Sequence, residues 1–233
     1  MTTADTIRTL PSPAAVADAG AARIVEILGR SIDARGAASL VLSGGSTPKA
    51  VYERLATLHA RAIDWARVTV FFGDERAVPP THADSNFAMV EAAMLSRLCF
   101  AAVHRIRGEL GASVAASTYA SLLPDRLDVA LLGMGADGHT ASLFPPLTHW
   151  PGLVAATVAP APFAVADRIS LTPLAFARAG RALAFITGAD KREMLARVLA
   201  ERAAAGAGAK TVPISIVRPN GIEFFVDAAA ALA

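Results

Sequence analysis

Short apolar runs alternate along this chain with stretches whose apolar residues recur every three or four positions. The runs at 39–42, 68–72, 129–132, 168–171, 182–187 and 214–217 are rich in β-forming residues and read as strands buried on both faces. Between several of them lie amphipathic patterns. Val51, Leu55 and Leu58 share one helical face, as do Met194, Leu195, Val198 and Leu199. This alternation predicts an α/β fold, a mainly parallel sheet with helices on both faces.

The ends of the elements are also written locally. Ser12 caps a first helix with Pro13 in its first turn, running to about Ala34 with a weak point at Gly29. Ser85 is placed to cap another helix reaching Arg97. The Ala/Gly-rich stretch 201–210 reads as a frayed helix end followed by a flexible loop, and the alanines after Asp227 have helical preference. No repeat and no break in composition divides the 233 residues, so a single domain over 1–233 is expected.

Composition narrows the function classes. At 54% apolar and 18% charged residues the chain is not of a disordered type, and a net charge of +2 is no footprint for nucleic acid. Cys99 is the single cysteine, which excludes an internal disulfide and a multi-cysteine metal site; it reads as a small core residue. The first 20 residues carry Asp5, Arg8, Pro11, Pro13 and Asp18 and lack the apolar centre of a secretory signal. The longest strongly hydrophobic uncharged stretch, 152–166, contains Pro160 and Pro162 and is shorter than the roughly 20 residues a spanning helix needs. A soluble cytoplasmic protein is the expectation.

Four segments carry candidate chemistry. The first, LVLSGGSTPK (40–49), runs from a buried strand into Ser43, Gly44, Gly45, Ser46 and Thr47, with Pro48 suited to the first turn of a helix. Glycines allow close backbone approach and the free amides of a helix start favour an anion, so phosphate fits; an ordinary turn capped by Thr47 is the bland reading. A Walker lysine–serine pair is absent, which disfavours a nucleoside triphosphate. In the second, VFFGDERAVPPTHADSN (70–86), a strand ends in Gly73, Asp74, Glu75 and Arg76, where α/β sheets place ligands. Arg76 suits phosphate oxygens; Asp74 and Glu75 suit sugar hydroxyls or the orientation of Arg76. His82 reads as a surface residue.

The third segment, LLGMGADGHTASLFP (131–145), holds Asp137 two positions before His139, a spacing at which a carboxylate can fix the tautomer of a water-activating imidazole. Gly133, Gly135 and Gly138 match G-x-G-x-x-G, but a dinucleotide site is rejected because no acidic residue stands near position 158. The fourth, TGADKR (187–192), ends a strand and opens a helix, placing Lys191 where its charge can reach a phosphate. Arg168 is a weaker candidate of the same kind.

Together SGGSTP, FFGDERAVPPTHADSN, GMGADGHTASLFP and TGADKR resemble, in order and approximate spacing, the 6-phosphogluconolactonases, and the resemblance covers residues 12–226. It implies a Rossmann-like open sheet and a lactonase acting on a sugar phosphate lactone in the oxidative pentose phosphate pathway, with no metal or organic cofactor and a monomeric state. Carried over by position, it implies His139 as general base, Asp137 as its orienting partner, Gly44, Gly45, Ser46 and Thr47 as ligand contacts, and Arg76 and Lys191 as phosphate neutralisers, with Asp74 a further contact. Backbone amides of 133–138 are expected to hold an oxyanion. Two other readings compete. Glucosamine-6-phosphate deaminases have a similar glycine loop and D-G-H segment, but carry a glutamate soon after the histidine, and residues 140–144 here contain no carboxylate. A non-catalytic sugar-phosphate sensor would keep the phosphate loop, but no helix-turn-helix or basic segment accompanies it.

Overall fold

The computed structural model describes residues 4–204, 210–217 and 221–232. In chain order its elements are β1 (Thr6–Leu10), α1 (Pro13–Arg35), β2 (Ala38–Leu42), α2 (Ser46–Leu58), β3 (Val68–Phe72), β4 (Asp74–Arg76), α3 (Asn86–Val90), β5 (Ala102–His104), α4 (Ala112–Ala120), β6 (Leu127–Leu132), β7 (Val154–Val158), β8 (Asp167–Leu171), α5 (Pro173–Phe176), β9 (Ala179–Ile186), α6 (Arg192–Ala203), α7 (Pro213–Ile216) and β10 (Glu223–Asp227).

Among the described residues seven strands form a parallel sheet in the order β1-β10-β9-β6-β2-β3-β5. The two central strands, β2 and β6, are buried at every position, as strands covered on both faces must be. From β2 the chain proceeds through β3 to β5 on one side; from β6 it proceeds through β9 to β10 on the other. The order of connection therefore reverses between the parallel neighbours β2 and β6, and their carboxyl ends flank the crevice such a reversal opens.

A second sheet, β4-β8-β7, is antiparallel. Gly73 joins the two: its amide donates to the Leu42 carbonyl (2.7 Å) and its carbonyl accepts from the Leu171 amide (2.7 Å). The apolar run 168–171 is thus a strand, but of this small sheet.

The first helix starts and ends where its sequence says: the Ser12 hydroxyl accepts from the Ala15 amide (3.2 Å), and Gly29 is carried within the helix. Ser85 caps α3 through the Ala88 amide (3.2 Å), and the helix continues as one wide π-type turn over Glu91–Leu95, stopping just short of Arg97. Leu195 and Val198 of α6 are buried; on α2, Val51 and Leu55 are buried whereas Leu58, its last residue, is 66% exposed.

Several expectations are corrected. Residues 214–217 are no strand: Pro213 opens the short helix α7, which packs under α6 and buries Ile214 and Val217 that way. The C-terminal strand is β10. The alanines after Asp227 form a turn, held where the Ala230 amide meets the Asp227 side chain (2.9 Å). Cys99 is exposed, because the chain between the π-type turn and β5 runs over the surface. The glycine-rich part of 201–210, residues 205–209, lies outside the described residues. None of the described helices is long and apolar enough to cross a membrane.

Candidate active site

A cleft of about 400 Å³ opens at the carboxyl ends of β2, β6 and β9 and is closed on one side by the small sheet. Its volume is that of a small-molecule site.

The glycine loop forms one wall. Gly45 has φ +104°, and α2 begins at Ser46 with no side-chain cap, so its first amides have no intrahelical acceptor. Thr47 is therefore no cap; its hydroxyl lies 2.8 Å from the Thr187 hydroxyl at the end of β9. Buried Tyr52 clasps the loop from below, donating to the Ser43 carbonyl (2.7 Å) and accepting from the Ser43 amide (2.8 Å). Gly44 is required for space: a Cβ there would stand 2.2 Å from Asn86 Oδ1.

Strand β4 supplies the second wall, and alternation along it divides its residues. Asp74 and Arg76 line the cleft, whereas Glu75 turns away. Glu75 accepts from the Ser85 hydroxyl and from the amides of Arg76, Asn86 and Phe87 (2.7–3.0 Å), holding the start of α3 rather than a sugar or Arg76. Burial pushes its carboxyl above the ordinary carboxylate value, against those hydrogen bonds. Asp74 accepts from Asn86 Nδ2 (3.1 Å) and from the Ser142 hydroxyl (2.7 Å), joining α3 to the histidine loop. Arg76 donates through Nη1 to the Asp84 carbonyl. His82 is exposed, accepting from the Asp84 amide (3.1 Å).

The third wall is the loop after β6. The Gly135 amide donates to the His139 carbonyl (2.9 Å) and the Gly138 amide to the Gly135 carbonyl (3.0 Å), so two amides expected for an oxyanion are used within the loop. No helix follows it in residues 140–153, consistent with rejecting a dinucleotide site. His139 Nδ1 lies 2.6 Å from Asp137 Oδ1, which also accepts the His139 amide (3.1 Å). A Cβ on Gly135 would stand 2.1 Å from Nδ1, so the ring can lie over the loop only because that residue is glycine. Burial alone would raise the Asp137 carboxyl, but the hydrogen bonds from His139 outweigh it and hold the group below its ordinary value. An ionised carboxylate only accepts, so this contact favours the tautomer with its proton on Nδ1 and a lone pair at Nε2. Phe144 and Phe163 flank the imidazole, with ring centroids 4.8 and 5.6 Å away.

Gly44, Gly45, Ser46, Thr47, Asp74, Arg76, His139 and Lys191 line this cleft, with Asp137 behind the histidine, whereas Glu75 and His82 do not. Lys191 stands at the head of α6 and pairs with Asp190. Three further residues in the walls were not anticipated or were underweighted: Asn86, Thr140 and Arg168. Asn86 Oδ1, Thr140 Oγ1 and Arg76 Nε are buried without a hydrogen-bond partner in the protein, which leaves each with bonding capacity to spare. Asn86 follows the helix cap Ser85, and that cap was the one local signal for its position.

The model of the glucosamine-6-phosphate isomerases/6-phosphogluconolactonase family matches residues 11–226. A 6-phosphogluconolactonase of Treponema pallidum (strain Nichols) is 39% identical, the match covering 70% of this chain and 72% of that protein. The solved 6-phosphogluconolactonase of Trypanosoma brucei superposes with a TM-score of 0.84 at 28% identity over 98% of both chains. A monomeric glucosamine-6-phosphate deaminase superposes with a TM-score of 0.82 over 97% of this chain and 98% of its own, but at 16% identity it shares the fold alone.

Proposed function

The chain belongs to the family of glucosamine-6-phosphate isomerases and 6-phosphogluconolactonases, and from that premise we propose that it hydrolyses 6-phospho-D-glucono-1,5-lactone to 6-phosphogluconate in the oxidative pentose phosphate pathway. The observation that carries this reading is an imidazole aligned by a carboxylate in the wall of a cleft whose other walls hold Arg76, Lys191 and a bare helix N-terminus.

In the proposed reaction His139 Nε2 takes a proton from water as its oxygen attacks carbon 1. The resulting imidazolium, steadied by Asp137, returns the proton to the ring oxygen as the carbon–oxygen bond breaks, leaving a carboxylic acid that ionises. General acid–base assistance of this kind contributes about 100- to 10,000-fold. Holding the phosphate at Arg76, Lys191 and the 44–47 loop keeps carbon 1 against the base, and the flanking Phe144 and Phe163 exclude bulk water from one side of the ring. No residue in 140–144 supplies the carboxylate relay of a deaminase, which supports the lactonase reading. The whole chain, 1–233, would act as one monomeric cytoplasmic domain without metal or organic cofactor.

The test is acid release from freshly prepared 6-phosphogluconolactone, with spontaneous hydrolysis at the same pH subtracted. Wild type should accelerate it, and His139→Ala should lose turnover while still binding 6-phosphogluconate. Ammonia release from glucosamine 6-phosphate without lactone hydrolysis would overturn the proposal.

A further inference from the structure

A second cleft opens at the opposite end of the strands, where β2, β6 and β9 begin. Strand β6 is six residues long, so roughly 15–20 Å of strand separates this end from the histidine loop. The cleft has two adjoining halves that share Arg35, Arg126 and Asp128. One half, about 280 Å³, is walled by Arg23, Arg30, Arg35, Arg126 and Arg181. The other, about 530 Å³, is a groove whose walls include Phe71, Leu122 and Pro124, with Thr69 beside them. Leu122 is 43% exposed there, so the groove offers apolar surface to a ligand.

The five guanidiniums of the first half meet three carboxylates, and those are already taken. Asp128 is buried; it accepts from the Ser39 amide (2.8 Å) and hydroxyl (3.2 Å) and pairs with Arg35. Glu223 accepts two bonds from Arg23 (both 2.8 Å), and Glu26 pairs with Arg23 and Arg30 (2.7 and 2.6 Å). Arg126 and Arg181 keep only long contacts, 3.8 Å each, to Asp128 and Glu223, and Arg181 adds one bond to the Gly180 carbonyl (3.3 Å). Asp125, next to Arg126 in the chain, is fully exposed and faces Arg178 instead (3.6 Å). The local excess of two positive charges equals the net charge of the whole chain. Like charges gathered this way repel, and an anion bridging them removes the cost.

We propose that this cleft is a second ligand site, for a nucleoside diphosphate, with the base in the groove beside Phe71, Leu122 and Pro124 and the two phosphates on Arg126 and Arg181. The planar forks of arginine match phosphate oxygens. The apolar half gives a flat base a surface that a bare anion cannot use, and the Thr69 hydroxyl offers its polar edge a partner. The site lies outside the candidate active site and does not rest on the function proposed above.

Titration calorimetry with ADP, in saturating 6-phosphogluconate to occupy the active-site cleft, tests it. Wild type should bind ADP, and Arg126→Ala and Arg181→Ala should each weaken binding about tenfold or more, with lactone turnover in the absence of ADP unchanged. Inorganic pyrophosphate should bind about tenfold more weakly than ADP, and adenosine more weakly still. Both arginines are exposed, so the variants should fold; if either does not, the corresponding Arg→Lys variant, which keeps the charge and loses the fork, carries the test. Absence of ADP binding, ADP displaced by 6-phosphogluconate, or affinity undiminished in the arginine variants overturns the proposal. Pyrophosphate binding as tightly as ADP also overturns it, since the base then contributes nothing. If the chain does not bind 6-phosphogluconate, the function above is what fails, and the arginine variants alone decide the second site.

Discussion

Asp137→Asn isolates the orientation of the base from its presence. In the wild type a carboxylate oxygen 2.6 Å from His139 Nδ1 selects the tautomer with a free Nε2. An asparagine can turn its amide nitrogen toward Nδ1, which then accepts and leaves the proton on Nε2, where it blocks proton abstraction. The lost charge-assisted bond is worth about 1.5–3 kcal/mol, or roughly 10- to 150-fold, and the whole of general base catalysis sets a ceiling near 10,000-fold. Turnover should therefore fall about 10- to 1,000-fold. With side chains 39% and 23% exposed, solvent screening keeps the stability loss to about 1 kcal/mol, so Tm should fall by only about 2–4 °C. KM for the phosphorylated lactone should stay within about threefold, because the phosphate contacts are untouched. Progress curves of acid release give kcat and KM; a folded Asp137→Asn with near-normal kcat would refute the tautomer argument.

Gly44→Ala drives a methyl group to 2.2 Å from Asn86 Oδ1 and must displace a side chain held to Asp74. Overpacking and the broken hydrogen bonds together should cost about 2–4 kcal/mol, visible as a Tm lower by several degrees; adding Asn86→Ala should restore part of it, and an unchanged Tm for Gly44→Ala would contradict the packing. Asp5 accepts two bonds from Arg202 (2.6 and 2.7 Å) and one from the Ile222 amide (2.7 Å). Burial alone would raise its carboxyl, but these bonds outweigh it and hold the group below the ordinary 3.8. A depressed carboxyl stabilises the fold above that ordinary value and ceases to as pH falls through the lower folded one. Asp5→Asn should therefore melt about 2–4 °C below wild type at neutral pH, with the gap narrowing only as pH falls below the ordinary carboxylate value of 3.8; a pH-independent gap would show that the charge is not involved.

The core strands and the site loops were legible because each rests on a local signal: β2, β3, β6 and β9 on unbroken apolar runs, and α1 on Ser12 and Pro13. The elements that escaped lack one. β1 is an edge strand with four of its five residues exposed, β5 is three residues long, and β7 lies in the uncharged stretch judged only as a membrane candidate. The run 214–217 misled because an apolar segment buried under α6 looks the same in sequence whether helical or extended, and Pro213 was the discriminating signal. At the site the loops announced Asp137, His139 and Arg76 by their chemistry. The weight of Arg168 depends on strand register and burial, both set by contacts with residues about ninety positions away, and no local pattern encodes those.

The backbone of Gly73 is bonded to both sheets at once, its amide to Leu42 on one and its carbonyl to Leu171 on the other. A rivet of that kind ties Arg76, three residues on, to the strands that carry the histidine loop. On the proposed chemistry the cleft then works as a fixed gauge. A lactone phosphate one carbon shorter could seat its anion or present its carbonyl, but not both, and selectivity for chain length would come from the rigidity of a weld rather than from any contact with the missing carbon.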